Sequence, residues 1–138
     1  MLIEFNTSAD SMTLLPADQI ANINISADKV SVSYTSGQSG SFQGDYRAIE
    51  DQLIEGGFVK GLRSLRGEDY TYVNVAAAQK VTFKAENNYY CLCASFPEDE
   101  YARHNNSIEI YVSQSAMKTF LDGHKIVRTR QENLVLAK

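Results

Sequence analysis

The sequence predicts an α+β fold dominated by antiparallel sheet, and three observations carry that expectation. Apolar residues alternate with polar ones at a period of two, as in Val30, Val32 and Tyr34 and again in Ile108, Ile110 and Val112. Turn-forming clusters separate these runs at hairpin spacing, as Ser26-Ala27-Asp28-Lys29 and Glu86-Asn87-Asn88 do. Two stretches carry apolar residues at the spacing of three and four that makes one stripe on a helix, and each closes on glycine. The expected architecture is a set of hairpin-rich sheets with two short amphipathic helices, near 46–55 and 114–122.

In chain order, Met1 to Phe5 and Met12 to Leu15 read as strands joined by the polar turn 6–10. Ile20, Ile23 and Ile25 form one half-buried strand, and Val30, Val32 and Tyr34 form its hairpin partner. The Ser- and Gly-rich stretch 35–40 turns the chain toward a strand around Phe42. Asp45 is placed to cap a helix whose stripe is Tyr46, Ile49 and Leu53, with Gly56-Gly57 ending it. Phe58 and Val59 resume an extended pattern, and a charged connection runs from Leu62 to Asp69. Tyr72 to Val75 reads as a strand, and Val81 and Phe83 pair with the aromatic-rich run Tyr89 to Phe96. A long polar loop from Pro97 leads to the strand 108–112. There Ser113 caps a helix in which Ala116, Met117, Phe120 and Leu121 face the core. Ile126-Val127 and Leu134 to Leu136 are expected as final strands or a packed tail.

With 138 residues, 43% apolar and 22% charged, the chain is expected to fold as a single domain, 1–138. No apolar run approaches the roughly 18 residues of a membrane span, and the N-terminus lacks a signal peptide's basic flank. A cytoplasmic protein with no membrane contact is therefore expected. Net charge is −4. Residues 1–58 hold two bases against eight acids, a net −6, whereas the remainder holds eleven bases against nine acids, a net +2. Lys60, Arg63 and Arg66 cluster within that second part, as do Lys125, Arg128 and Arg130.

Catalytic signatures are absent: no phosphate-binding glycine loop, no histidine pair at metal spacing and no nucleophile elbow, so no enzyme is expected. Cys91 and Cys93, at i and i+2, share one face of a strand and are expected as reduced thiols, at least one of them buried. His104 and His124 are not spaced to complete a metal site with them, so no cofactor or metal is expected. The tyrosines 70, 72, 89, 90, 101 and 111 are expected chiefly as half-buried strand residues, with stacking on bases or a protein interface as the lesser alternatives.

The order of features resembles the LytTR-type DNA-binding domain. The similar elements are Leu15 to Ile20, the hairpin from Lys29 to Gly37, Phe42 before a helix with Ile49 and Leu53, Phe58-Val59-Lys60 followed by Arg63-Ser64, Val73-Asn74-Val75 leading to Val81, and Val112-Ser113 opening the last helix. The resemblance covers about residues 13–122 and implies DNA contacts made from loops rather than from a recognition helix. Position by position it nominates Lys29, Arg63, Ser64, Gln114 and Lys118, to which the basic cluster adds Lys60 and Arg66. The sequence departs from the family's pattern at the insertion Leu65 to Thr71 and at Gln114, which stands where a basic residue is usual.

Two functional readings follow. In the first, a DNA-binding, transcription-associated module, lysines and arginines neutralise phosphates while Arg63 or Gln114 reaches a base edge. In the second, a non-enzymatic interaction or assembly protein, strand edges and tyrosine faces meet a protein partner or further copies of the chain.

Overall fold

The computed structural model describes residues 1–8, 10–63, 69–97 and 107–127. Ten strands and two α-helices follow one another along these residues: β1 (Leu2–Ser8), β2 (Ser11–Pro16), β3 (Ile20–Ile25), β4 (Lys29–Tyr34), β5 (Ser39–Gln43), α1 (Glu50–Glu55), β6 (Phe58–Lys60), β7 (Tyr70–Asn74), β8 (Lys80–Ala85), β9 (Tyr89–Ser95), β10 (Ser107–Ser113) and α2 (Gln114–Gly123). All strand pairings are antiparallel. The expected α+β, sheet-dominated class is the one observed.

Alternation along the strands explains the layering. The central sheet has the order β5-β4-β3-β7-β6. On one face Ile23, Ile25, Val30, Val32, Phe58 and Tyr72 pack against Ile3 and Phe5 of the β1–β2 hairpin and Leu53 of α1. On the other face Ala21, Val59 and Val73 pack against Leu92, Ala94 and Val112 of a second sheet, β10-β9-β8, and against Met117 of α2. The second face is covered only around Ala21, Val59 and Val73; Asn22, Asn24, Ser31 and Ser33 on the rest of it are half-buried, which is why β3 and β4 keep polar residues there.

Helix ends follow local chemistry. The Ser113 hydroxyl accepts the Ala116 N–H at 3.0 Å and starts α2 where the sequence places it. The other expected helix, 46–55, is shorter in its α-helical part. The Asp45 carboxylate accepts the Arg47 N–H at 3.1 Å, a single 3-10 turn covers Arg47–Ile49, and regular α-helix begins at Glu50. Two smaller expectations are corrected. The first hairpin continues into the polar turn, with an irregularity between Asn6 and Ser8, because ladder pairing is a backbone property that polar side chains do not prevent. Ile126 and Val127 lie outside any strand and are exposed, so that segment does not pack on the core. The possible strand at 134–136 and most of the 97–107 loop lie outside the described residues. Among the described residues no helix is long and apolar enough to cross a membrane.

Candidate nucleic-acid interface

The registers place several connections at one end of the molecule. Ile25, the last residue of β3, sits opposite both Val30, near the start of β4, and Tyr70, the start of β7. Lys29 pairs with Gln43 at the end of β5, and Lys60 at the end of β6 pairs with Tyr72. The β3–β4 turn and the connection leaving β6 therefore share an end, about 10–14 Å apart laterally at two to three strand spacings.

The second sheet joins that end through the β6 exit. The Gly61 N–H donates to the Thr71 carbonyl at 2.8 Å, and the Leu62 N–H donates to the Tyr111 carbonyl at 2.7 Å. Gly61 makes a close approach there: a Cβ would come to 3.2 Å from the Thr71 carbonyl oxygen and 3.1 Å from Ile110 Cδ1. A short anchored segment thus leads from β6, past β10, into the basic connection. Ser113, at the end of β10, pairs with Tyr89 at the start of β9, so the β8–β9 turn and the start of α2 lie near the same end.

The nominated residues fall as follows. Lys29 is exposed at the β3–β4 turn, and Arg63 is exposed where the anchored segment ends. Arg63 borders a cleft of about 500 Å³ shared with Leu62, Asp69, Tyr89 and Tyr111. Gln114 is the first residue of α2 and Lys118, exposed, stands one turn on, so both lie on one helix flank. Ser64 and Arg66 lie outside the described residues. Acids share this end: Asp28 in the β3–β4 turn, Asp69 in the central connection and Glu86 in the β8–β9 turn. Its charge is mixed rather than uniformly basic.

Lys60 differs from the others. Its ammonium forms an ion pair with Glu50 Oε1 of α1 and lies 4.0 Å from the centre of the Tyr70 ring. The Tyr72 hydroxyl donates to the same carboxylate oxygen at 2.9 Å. The Lys60 contact holds the Glu50 carboxyl below its ordinary value, against a smaller upward push from burial, with Tyr72 helping to lower it. Burial, then the Glu50 carboxylate, raises the Tyr72 phenol. Lys60 therefore ties α1 to the sheet, and its charge reaches a phosphate only by leaving Glu50. The register pairs Lys60 with Tyr72, and Glu50 comes from a helix whose docking the sequence does not display.

Asn74 is a second residue whose role the sequence leaves unstated. It is buried, and its side-chain N–H₂ donates to the carbonyls of Ala17 at 2.8 Å and Ile20 at 3.0 Å, fastening the end of β7 to the turn before β3. The tyrosines divide as strand positions do: Tyr72 is buried, Tyr70, Tyr89 and Tyr90 are half-buried, and Tyr111 is exposed. Tyr101 lies outside the described residues.

No family model matches the chain, and no curated protein does. Among solved structures the chain is similar to a LytTr DNA-binding domain from Bacillus cereus, with a TM-score of 0.50 and 16% identity, over 88% of this chain and 94% of that one. At that identity the likeness speaks for architecture, and it agrees with the order of elements from which the resemblance was drawn: this chain has the fold of a LytTr DNA-binding domain.

Proposed function

We propose that this protein is a non-enzymatic, single-domain DNA-binding module that grips duplex DNA through the connections at one end of its central sheet. The observation that carries this reading is the shared fold with a LytTr DNA-binding domain over nearly the whole of both chains. Support comes from the placement of Lys29, Arg63 and Gln114 on turns and a helix start at that end, with Lys118 one turn along α2. In this reading Lys29, Arg63, Arg66 and Lys118 neutralise phosphates, Ser64 donates to a phosphate oxygen, and Arg63 or Gln114 reaches a base edge, since Arg suits guanine and Gln suits adenine. Lys60 contributes chiefly by holding the β6 exit in place. The setting is cytoplasmic and the role lies in transcriptional control.

The test is binding to labelled duplex DNA, single-stranded DNA and RNA across a salt series. Duplex binding that weakens steeply with salt is expected, because released counterions drive it. Failure to bind duplex at low salt contradicts the reading.

One observation favours the assembly-protein alternative. Leu2, Met12 and Leu14 are exposed at 61%, 61% and 50% on the outer face of the β1–β2 hairpin. Apolar residues gathered on one face are a common mark of a protein contact. A dimer that persists on dilution, with no affinity for nucleic acid, would make this the better account.

A further inference from the structure

The outer face of the second sheet carries a group of side chains that neither packing nor the DNA reading uses. In the antiparallel register Cys93 stands between Thr82 of β8 and Glu109 of β10, and Cys91 stands between Lys84 and Tyr111. Directly paired residues project to the same side of a sheet, so these six share a face. Leu92 and Ala94 point the other way, into the core. Cys91 is buried, yet it belongs to neither apolar cluster.

We propose that Cys91, Cys93 and Glu109 form a binding site for a divalent cation of the zinc class. One atom from each of the three residues lies within 4.8 Å of the others, and Cys91 Sγ is 3.1 Å from Glu109 Oε1. A tetrahedral zinc ion with bonds of about 2.0–2.3 Å holds its ligand atoms roughly 3.3–3.8 Å apart, so modest side-chain rotation closes the set. Two sulfurs select against magnesium and calcium, which prefer all-oxygen shells, and the carboxylate supplies a third ligand suited to zinc. Cys93 and Glu109 are exposed, which leaves the fourth position to water.

Charge and proton balance fit the site. Two thiolates and one carboxylate around a divalent ion leave one net negative charge, and the exposed Lys84 directly opposite Cys91 supplies a compensating cation. Without the ion, the Cys91 thiol donates its hydrogen to Glu109 Oε1 at 3.1 Å. The ion takes the place of this bridging proton. Loading at neutral pH forms two metal–sulfur bonds and one metal–oxygen bond, and both thiol protons leave to the buffer. The register across two hairpins, which makes Glu109 the third member, is what the cysteine spacing by itself does not reveal.

The experiment uses the reduced, metal-free full chain. Titration with Co²⁺ should give a thiolate-to-cobalt charge-transfer band and tetrahedral visible bands that saturate at one ion per chain. Added Zn²⁺ should abolish them, with about two protons released per Zn²⁺ bound. Cys93→Ser and Glu109→Gln alter exposed positions and leave the core intact, so they test the site without testing the fold. Each should weaken Zn²⁺ binding by more than the roughly 10- to 100-fold that follows loss of an outer-shell partner. The absence of a thiolate-to-cobalt band, or Zn²⁺ affinity unchanged in both variants, overturns the proposal.

Discussion

Asn74 carries a large structural load for one side chain. Its amide satisfies two backbone carbonyls from the turn that leads into β3, while its Oδ1 has no hydrogen-bond donor among the described residues. Asn74→Ala should cost about 2–3 kcal/mol by stranding buried acceptors, and Asn74→Asp should cost more by turning a carboxylate toward those carbonyl oxygens. Equal denaturation midpoints for wild type and both variants would contradict this. The Glu50–Lys60 pair gives a pH prediction. A carboxyl held below its unfolded value of 4.5 stabilises the fold above that pH, and the contribution fades as pH falls through the lower folded value. Both side chains are about a third exposed, so solvent screening keeps the contribution to about 0.5–1 kcal/mol. The stability difference between wild type and Glu50→Gln should therefore be present at pH 7 and shrink below about pH 4.5; a difference independent of pH would contradict it. Neither cluster was legible beforehand. Asn74 stood in a recognised Val-Asn-Val run, but the carbonyls it serves lie 54 and 57 residues away.

Among the elements, the strands were the most legible, because an alternation with one apolar face has a single register that buries it. The β3–β4 and β8–β9 hairpins turn where Ser26 to Lys29 and Glu86 to Asn88 place them. The helix at 46–55 was less so. Its stripe is real, since Leu53 is buried and Tyr46 and Ile49 pack on the same core, but three residues of it are 3-10 turn, which the same spacing does not distinguish. Its stop was clear for a definite reason. Gly57 has a φ of +101°, and a Cβ there would fall 2.5 Å from Ala76 Cβ. Gly57→Ala should destabilise by more than the roughly 1 kcal/mol typical of a helix-interior glycine exchange, since conformation and space both oppose it. Ser113→Ala removes a hydroxyl cap and should cost about 1 kcal/mol, local to α2. Thermal denaturation of the two variants should rank Gly57→Ala as the more damaging, and the reverse order would contradict the packing described.

At the scale of the whole molecule, the charge imbalance between the two parts of the sequence becomes a mixed surface at the candidate end, where Asp28, Asp69 and Glu86 stand among Lys29 and Arg63. The location of the end follows from register, which the order of elements foreshadowed. The electrostatics follow from three-dimensional neighbours such as Glu50 beside Lys60, which it did not. With a net charge of −4 and a candidate end of mixed sign, a DNA-binding function would rest on a few contacts, and each should be visible in the salt dependence. The measurement that bears most directly on this is the slope of log affinity against log salt for duplex DNA, compared between wild type and the Arg63→Ala/Arg66→Ala double variant. Loss of two phosphate contacts should flatten the slope by roughly 1.8 units, at about 0.9 per contact. A wild type that does not bind at low salt, or a slope unchanged by the double substitution, would contradict the account.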